Sequence, residues 1–169
     1  MHEFTITFCE DFSKIDTIQS NYLLLFVIHG SITVTLSSET IPLYEKDLLL
    51  INANRHFTLQ SSTGSFFMKI SIRPELLQEL TQLRPPHFQC CSALSSGVKY
   101  EQLRYLIDEL LGACTFDMNQ MNAQKLSTLY KLCDHLIHSF LLPDKHTITG
   151  NSAERLDPVF SYIEEHFSE

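Results

Sequence analysis

The sequence lacks the features that mark membrane-spanning, exported and nucleic-acid-binding chains. Its longest apolar run, Tyr22–Ile28, is far shorter than the roughly 18 residues that a membrane-spanning helix needs. The N-terminus has neither the basic start nor the apolar stretch of a signal peptide, and no run of Lys and Arg marks a basic surface. A net charge of −8 makes the chain repel phosphates. These absences predict a cytoplasmic protein that does not enter membranes and does not bind DNA by itself.

Sequence motifs for metal, phosphate and nucleophile chemistry are also missing. The five cysteines form no C-x-x-C pair, so we expect reduced, buried thiols rather than a zinc or redox site. No Gly-x-Ser-x-Gly elbow, phosphate loop or Gly-x-Gly-x-x-Gly turn occurs. His135 and His138 lie three residues apart on a predicted helix, but the sequence places no further metal ligand beside them. We therefore expect a chain without a cofactor that binds a small molecule or another protein.

The first half of the chain is typical of short strands joined by turns. Phe4–Phe8 and Ser31–Leu36 alternate between apolar and polar residues, and further strand-like runs continue to Ile72. The triplet from His29 to Ser31 lies between two such runs and is typical of a tight turn. Many short strands with turns between them indicate an antiparallel barrel or sandwich. Pro74 ends this region, because proline cannot donate a hydrogen bond to a neighbouring strand.

The second half has the periodicity of amphipathic helices. One apolar stripe runs from Leu103 to Cys114 and a second from Leu126 to Phe140, after which Pro143 ends the helix. Residues 144–153 are polar and rich in turn formers, as expected of a linker. A third stripe, from Leu156 to Phe167, is still running at the last residue of the sequence. We expect the packing partners of this helix to follow it in a longer protein.

Several stretches of the chain resemble AraC-type transcription regulators. Residues 22–31 and 43–60 resemble the strands and turns of that family's N-terminal cupin (jelly-roll) domain. Residues 126–141 resemble the helix that follows the barrel and pairs subunits, and residues 155–168 resemble the first helix of the paired helix-turn-helix domain. Lys46 stands where the family usually has glycine, whereas the aspartate that follows is kept.

The resemblance implies an α+β fold in which an antiparallel β-barrel of the cupin type is followed by two long helices and the start of a third. It divides the chain into an effector-binding barrel (1–92), a helical dimerisation region (93–143), a linker (144–153) and the first helix of a truncated helix-turn-helix domain (154–169). The implied protein is a homodimer that senses a small polar effector, such as a sugar, and controls DNA binding by a C-terminal domain that the chain lacks. The predicted dimerisation residues are Leu126, Leu129, Tyr130, Cys133, Leu136, Ile137 and Phe140.

Many cupins are metal enzymes, so the metal ligands expected in such enzymes can be looked for in this sequence. Their metal site resembles two histidines and a glutamate on one strand, with a third histidine on a later strand. Residues 16–23, where the first set is expected, contain no histidine and no glutamate, and only His56 matches. One ligand does not hold a metal, so we expect no metal and no enzyme. A cupin isomerase or oxygenase, and a pure dimerisation module with a filled barrel, stay open as alternatives.

The last predicted strand has two different faces. The even-numbered residues from Phe66 to Ile72 are apolar and suit packing against helices, whereas the odd-numbered face mixes Phe67 with Lys69 and Arg73. Such a mixed face suits a cavity for a polar ligand, although Lys69 and Arg73 could instead face water. Together with positions that match the pockets of the family, the predicted ligand-binding residues are His29, Arg55, His56, Phe57, Phe67 and Lys69.

Overall fold

The computed structural model describes residues 2–10 and 14–143. The predicted linker at 144–153 and the predicted helix at 154–169 lie outside these residues. In chain order the described elements are β1 (Phe4–Glu10), β2 (Ile15–Gln19), β3 (Tyr22–His29), β4 (Ser31–Leu36), β5 (Glu39–Tyr44), β6 (Leu48–Ile51), β7 (Arg55–Ser61), β8 (Phe66–Ile72), α1 (Pro74–Thr81), α2 (Val98–Cys114) and α3 (Ala123–Phe140).

The strands form two four-stranded antiparallel sheets. The first sheet has the order β1-β8-β3-β6 and the second has the order β2-β7-β4-β5. All the strand pairs are antiparallel, and the helices follow the strands along the chain. The predicted mixed α+β class with antiparallel strands is therefore confirmed. Among the described strands, hydrogen bonds join the sheets into no closed ring, so the architecture is a two-sheet sandwich with helices on one side.

The apolar run in β3 reflects burial of both faces of that strand. Tyr22, Leu24 and Phe26 pack toward the helices, while Leu23 and Leu25 pack in the layer between the two sheets. A strand that is covered on both faces needs apolar residues at every position rather than at alternate ones. This is why the longest apolar run of the sequence is a strand in the middle of the fold.

The predicted division of β8 into two faces is confirmed. Met68, Ile70 and Ile72 are fully buried against the helices, and Phe67 is fully buried between the sheets. Side chains of successive strand residues point to opposite faces, so the remaining polar residues of β8 face the second sheet. The core that covers the helix side also includes α2 and α3 residues, so the strands and helices share one hydrophobic core.

The helices include one that the sequence prediction lacks. α2 and α3 lie where the periodicity predicts them, and α3 begins after Asn122, whose side-chain oxygen accepts a 2.9 Å hydrogen bond from the backbone N–H of Lys125. Pro74 ends the strand region as predicted, and it also begins α1, which the sequence analysis does not predict and which buries Leu76 and Leu77. Proline is compatible with a first helical turn, where its missing N–H is not needed. No helix in the described part of the chain is long and apolar enough to cross a membrane.

Residues 87–92, which we call the strap, connect the edge of the first sheet to the end of α3. On the sheet side, the backbone N–H of Leu50 donates a 2.9 Å hydrogen bond to the carbonyl oxygen of Cys90. On the helix side, the N–H of Gln89 donates a 2.9 Å hydrogen bond to the carbonyl oxygen of Phe140. The strap thus covers the β6 edge and holds the point where the chain leaves α3.

Two tight turns use backbone conformations that favour glycine. Gly30, in the predicted turn, has a φ of 79°, and a Cβ atom there would lie 2.8 Å from the Cα of Ser65. Lys46 has a φ of 70° at the position where the AraC-type regulators usually have glycine. The neighbouring Asp47 accepts a 3.0 Å hydrogen bond from the backbone N–H of Tyr44 through Oδ2, which closes this turn. Lys46 therefore adopts the left-handed backbone conformation that glycine adopts most easily, although it carries a side chain.

Candidate ligand-binding cleft

The face of β8 opposite the helices is polar at two positions. Lys69 and Ser71 flank the fully buried Ile70, so both side chains face the second sheet. β8 has a strand on each side, yet Lys69 and Ser71 are only half-buried. An inner strand that faces another sheet keeps accessible side chains only where a gap separates the two sheets. The accessibility of Lys69 therefore marks an opening in the sandwich.

The first sheet extends this polar face onto its edge strand. Thr7 lies opposite Lys69, and Thr5 lies opposite Ser71, in the β1–β8 pair. Both threonines are exposed although they share the face that looks toward the second sheet. On the other side of β8, the partner of Lys69 is the fully buried Leu25. The opening therefore lies at the β1 edge of the first sheet, beside the buried Leu25 of β3.

The second sheet forms the opposite wall. In the β2–β7 pair, Thr17 lies opposite Phe57, and Gln19 lies opposite Arg55. Phe57 packs between the sheets, so these four residues share the inner face. Thr17, Gln19 and Arg55 are half-buried, whereas Phe57 is 2% exposed.

The connections place the two polar walls on the same side of the sandwich. A short turn joins β5 to β6, so the β5 and β6 edges of the two sheets meet there. β1 and β2 are then the edges on the other side. We call the space between these walls the edge cleft; its walls are Thr5, Thr7, Lys69 and Ser71 of the first sheet and Thr17, Gln19 and Arg55 of the second, with Phe57 and Phe67 at its floor.

The ionic side chains that line the edge cleft in the described residues are cations. The inner faces of β1, β2, β7 and β8 carry Lys69 and Arg55 and no carboxylate. Within the described part of the chain, no Asp or Glu oxygen lies within 4.0 Å of the Lys69 ammonium. Cys9 is the titratable neighbour of Lys69 on β1. Burial raises the pKa of its thiol, and the nearby ammonium lowers that pKa by less, so the thiol stays neutral at physiological pH.

A second space lies on the opposite side of the sandwich, under the strap. This cavity has a volume of about 60 Å³, and its polar lining comes from Glu39, Asn52, Arg55 and Gln89. Such a volume holds a few water molecules and is well below the roughly 300–1,000 Å³ of pockets for metabolites. The edge cleft, which is open at one side, is the other candidate for a ligand site. Arg55 of β7 also lines the cavity under the strap, together with Glu39.

Four of the six predicted ligand-binding residues lie on the inner faces of the sheets, and two do not. Arg55, Phe57, Phe67 and Lys69 border the edge cleft. His56 lies on the outer face of the second sheet, where its Nε2 contacts Asp16, because it directly precedes the inward-facing Phe57. His29 lies exposed at the end of β3, with its Nδ1 3.7 Å from Glu45 Oε2. The structure brings neither histidine to the cleft.

Sequence reasoning missed most of the hydroxyl and amide residues of the cleft. The sequence analysis names no ligand-binding residue in β1 and predicts no strand at residues 15–19. The available signal in β2 was the alternation of Ile15, Thr17 and Gln19 with residues of the outer face. A five-residue strand with an aspartate in it is a weak pattern, because Asp is rare in strands.

The predicted dimerisation face of α3 is largely occupied within the chain. Leu129, Cys133, Leu136 and Phe140 are at most 3% exposed and belong to the core under the first sheet. Leu126 and Ile137 are partly buried against the same core. Tyr130 is 41% exposed, and its ring meets Phe4 edge-on at a centroid distance of 5.4 Å. The homodimer stays a prediction, and the predicted residues with accessible surface are Leu126, Tyr130 and Ile137.

The described histidines, cysteines and carboxylates form no group of three or more that could hold a metal ion. His135 and His138, which the sequence places on one helix, have separate partners. The Nε2 atom of His135 lies 2.7 Å from the carbonyl oxygen of Lys99, and the Nδ1 atom of His138 lies 2.8 Å from the carbonyl oxygen of Asp134. Each ring is thus held by a backbone carbonyl rather than turned toward the other.

Comparison with known proteins agrees with a ligand-binding sandwich. The family model described as "AraC-like ligand binding domain" matches residues 4–132, which cover both sheets and most of α3. The chain therefore belongs to the family of AraC-like ligand-binding domains. No curated protein matches the chain.

The solved structures that the chain matches at low identity include two cupins. A conserved protein of unknown function from Streptococcus pyogenes is 14% identical, with a TM-score of 0.40, over 44% of this chain and 68% of that chain. A cupin superfamily protein from Desulfitobacterium hafniense is 14% identical, with a TM-score of 0.37, over 41% and 65%. An RmlC-like cupin from Shewanella frigidimarina is 12% identical, with a TM-score of 0.39, over 42% and 67%. The chain thus spans about two thirds of the length of these proteins.

Proposed function

We propose that this chain senses a small polar molecule in the edge cleft for a bacterial transcription regulator of the AraC type. The observation that carries the proposal is the opening at Lys69, where two sheets of a ligand-binding family present hydroxyl, amide and cationic groups above two buried phenyl rings. Sites for small molecules combine apolar walls with a few convergent polar groups, and the edge cleft has both.

The ligand acts by contacting both sheets at once. A molecule that bonds to β8 on one wall and to β7 on the other stabilises the closed arrangement of the β1 and β2 edges. Only a difference in ligand affinity between two arrangements shifts their populations, and contacts to two separate walls supply such a difference. The arrangement that the ligand favours then determines how a DNA-binding domain that follows this chain in the regulator is presented.

A homodimer of the chain is part of the proposal. The surface of α3 that stays accessible, at Leu126, Tyr130 and Ile137, is the natural place for a second copy. Size-exclusion chromatography with light scattering tests this directly. We expect a dimer that Ile137→Asp converts to a monomer, whereas Asp134→Asn, on the exposed side of the same helix, leaves the dimer intact. A monomeric wild-type chain would contradict this part of the proposal.

We propose that the chain is a receptor rather than an enzyme. The cleft presents hydroxyl groups, an amide and two cations, and its thiol is held in the neutral form, so the described residues offer no general base beside a nucleophile. Elemental analysis of the purified chain provides the test against a cupin metalloenzyme. One tightly bound metal ion per chain, retained through chelation and gel filtration, would favour the enzyme instead.

The experiment that tests the sensor function is a thermal-shift screen of the chain with sugars, amino sugars and organic acids. Molecules that raise Tm are then titrated into the Thr7→Trp variant while its tryptophan fluorescence is recorded. Because the sequence contains no other tryptophan, the fluorescence comes only from the cleft. Thr40→Trp, on the exposed outer face of the second sheet, is the matched control. We expect fluorescence changes in the first variant alone. A broad screen without a single binder would favour a dimerisation module that binds no ligand.

A further inference from the structure

We propose that the ligand of the edge cleft is a small organic acid, whose carboxylate binds the ammonium group of Lys69. This inference rests on the proposed sensor function and narrows it from polar molecules in general to carboxylates with an apolar body. The sugar suggested by the sequence resemblance is replaced by an anion because of the charges and hydrogen-bonding groups that line the cleft.

The first argument is the distribution of charge. The chain has 20 acidic and 12 basic residues, so a randomly placed ionic side chain is more often an acid than a base. The inner faces of the four strands that border the cleft show the reverse, with Lys69 and Arg55 and no carboxylate among the described residues. The acidic side chains of these strands are on other faces; Asp16, for example, lies on the outer face of the second sheet beside His56.

The second argument is the surroundings of Lys69 itself. Lys69 is half-buried and lies in the sheet between Thr7 and the fully buried Leu25, and no described carboxylate pairs with its ammonium group. The neutral thiol of Cys9 does not supply an opposite charge either. An anionic ligand would supply it. Binding would thus complete an ion pair that the protein leaves half-formed.

The third argument is the balance of donors and acceptors. Lys and Arg donate hydrogen bonds and accept none, and the hydroxyl groups of Thr5 and Ser71 can also donate to a carboxylate. A sugar carries many hydroxyl donors and needs acceptors such as carboxylates and amides in its site. Gln19 provides the one amide of the cleft walls in the described residues, and the amide of Asn21 already donates to Ser71 Oγ at 2.9 Å. The walls therefore suit an acceptor-rich ligand.

The floor of the cleft determines the rest of the molecule. Phe57 and Phe67 come from opposite sheets and are 2% and 0% exposed. An apolar chain or ring can extend toward them while the carboxylate stays at Lys69, nearer the opening.

The test compares acids with neutral molecules of the same skeleton by isothermal titration calorimetry of the full chain. The pairs are phenylacetate and phenylacetamide, hexanoate and hexanamide, and galacturonate and galactose. We expect an acid to bind about 10- to 100-fold more tightly than its neutral counterpart, since a hydrogen bond between charged groups is worth that factor. The affinity of the acid should fall as salt is added.

Variants of the cleft lysine complete the test. Lys69→Met should remove the preference for the acid, Lys69→Arg should keep it, and Lys131→Met, at an exposed lysine of α3, should have no effect. Circular dichroism checks that each variant is folded. If neutral molecules bind as tightly as acids, or if Lys69→Met leaves the preference unchanged, the inference is overturned while the sensor function stands. If no acid binds but the broad screen gives a neutral ligand, the organic-acid inference is likewise overturned and the sensor function stands. If no molecule binds at all, both the organic-acid inference and the sensor function are overturned.

Discussion

The ammonium group of Lys125 donates a 2.7 Å hydrogen bond to the carbonyl oxygen of Gln120, and the lysine is only 1% exposed. A second bond goes to the carbonyl oxygen of Asp117, so one buried cation closes the loop between α2 and α3. The same loop carries Phe116, which is 95% exposed. Phe116 therefore directly precedes a residue whose backbone carbonyl this buried cation holds.

The first prediction concerns this buried lysine. Lys125→Met keeps most of the apolar side chain but leaves two backbone carbonyl groups without their donor, and it should lower the free energy of unfolding by about 1–3 kcal/mol. Urea denaturation measures the change. Lys131→Met is the matched control, because Lys131 is exposed and its ammonium lies 3.8 Å from Glu109 Oε1 in a surface ion pair. The control should change stability by less than about 0.5 kcal/mol. Equal effects of the two substitutions would contradict the structural role of Lys125.

The second prediction separates close packing from backbone conformation at glycine. Gly30 and Gly64 both have a φ of 79°, but a Cβ atom at Gly30 would lie 2.8 Å from Ser65 Cα, whereas one at Gly64 would meet nothing within 4 Å. Gly64→Ala should therefore lower stability by about 1–2 kcal/mol, the usual penalty of a left-handed residue. Gly30→Ala should lower it by roughly a further 1–3 kcal/mol, because the backbone at Ser65 must move. Thermal denaturation of both variants gives the comparison, and similar losses of Tm would refute the predicted contact.

The third prediction concerns the turn before β6. Lys46 has a φ of 70°, which is unfavourable for a residue with a side chain, so Lys46→Gly should raise the free energy of unfolding by up to about 1 kcal/mol. Lys46→Ala removes the same charge but keeps Cβ, and it should give no such increase. Urea denaturation of the two variants distinguishes conformation from charge. A gain shared by both would point to charge repulsion instead.

The fourth prediction is a loss of stability at alkaline pH. Burial raises the pKa of the Cys133 thiol from 9.0 to about 12, and burial also raises the pKa of Tyr22 to about 12. Above pH 9 the unfolded chain releases the thiol proton while the folded chain keeps it, so folding becomes less favourable as the pH rises toward 12. Each such group lowers the free energy of unfolding by up to about 1.4 kcal/mol per pH unit in that range.

Urea denaturation between pH 8 and pH 11 measures this slope. Cys133→Ala should start from a lower stability, because it leaves a cavity, but its slope above pH 9 should be shallower. A Cys9→Ala variant serves as the comparison, since Cys9 is only half-buried. A stability that does not change between pH 8 and pH 11 would contradict the burial of these groups.

Much of the fold follows from periodicity, and the exceptions have physical causes. The sequence pattern predicts which residues are buried in several elements, and the structure agrees. These elements are β3 with its apolar run, β8 with its two faces, and α2 and α3 with their apolar stripes. Periodicity is weakest for short elements. It does not predict β2, which has five residues. It also does not predict α1, because Pro74 ends the sheet region as expected but begins a short helix as well.

The candidate site could be predicted only in part for a different reason. Lys69 and Phe67 were found because β8 alternates strongly, and the inward direction follows from its apolar neighbours. His56 was placed beside Phe57 in the pocket, but adjacent strand residues point to opposite faces, and only one can be inside. On α3, the spacing of Leu129 and Leu136 shows that a face is buried. It does not tell whether the partner is the same chain or a second copy, and the structure puts both residues in the chain's own core.

The strap has a consequence for how the chain behaves in solution. β6 consists of Leu48, Leu49, Leu50 and Ile51, a strongly apolar strand at the edge of its sheet. Bare edges of this composition pair with other molecules and seed aggregates. The strap occupies this edge, since the N–H of Ser92 donates a 3.0 Å hydrogen bond to the Leu48 carbonyl oxygen while the N–H of Leu50 donates to Cys90. Detachment of the strap would expose this apolar edge, so the solubility of the chain depends on a segment outside both sheets.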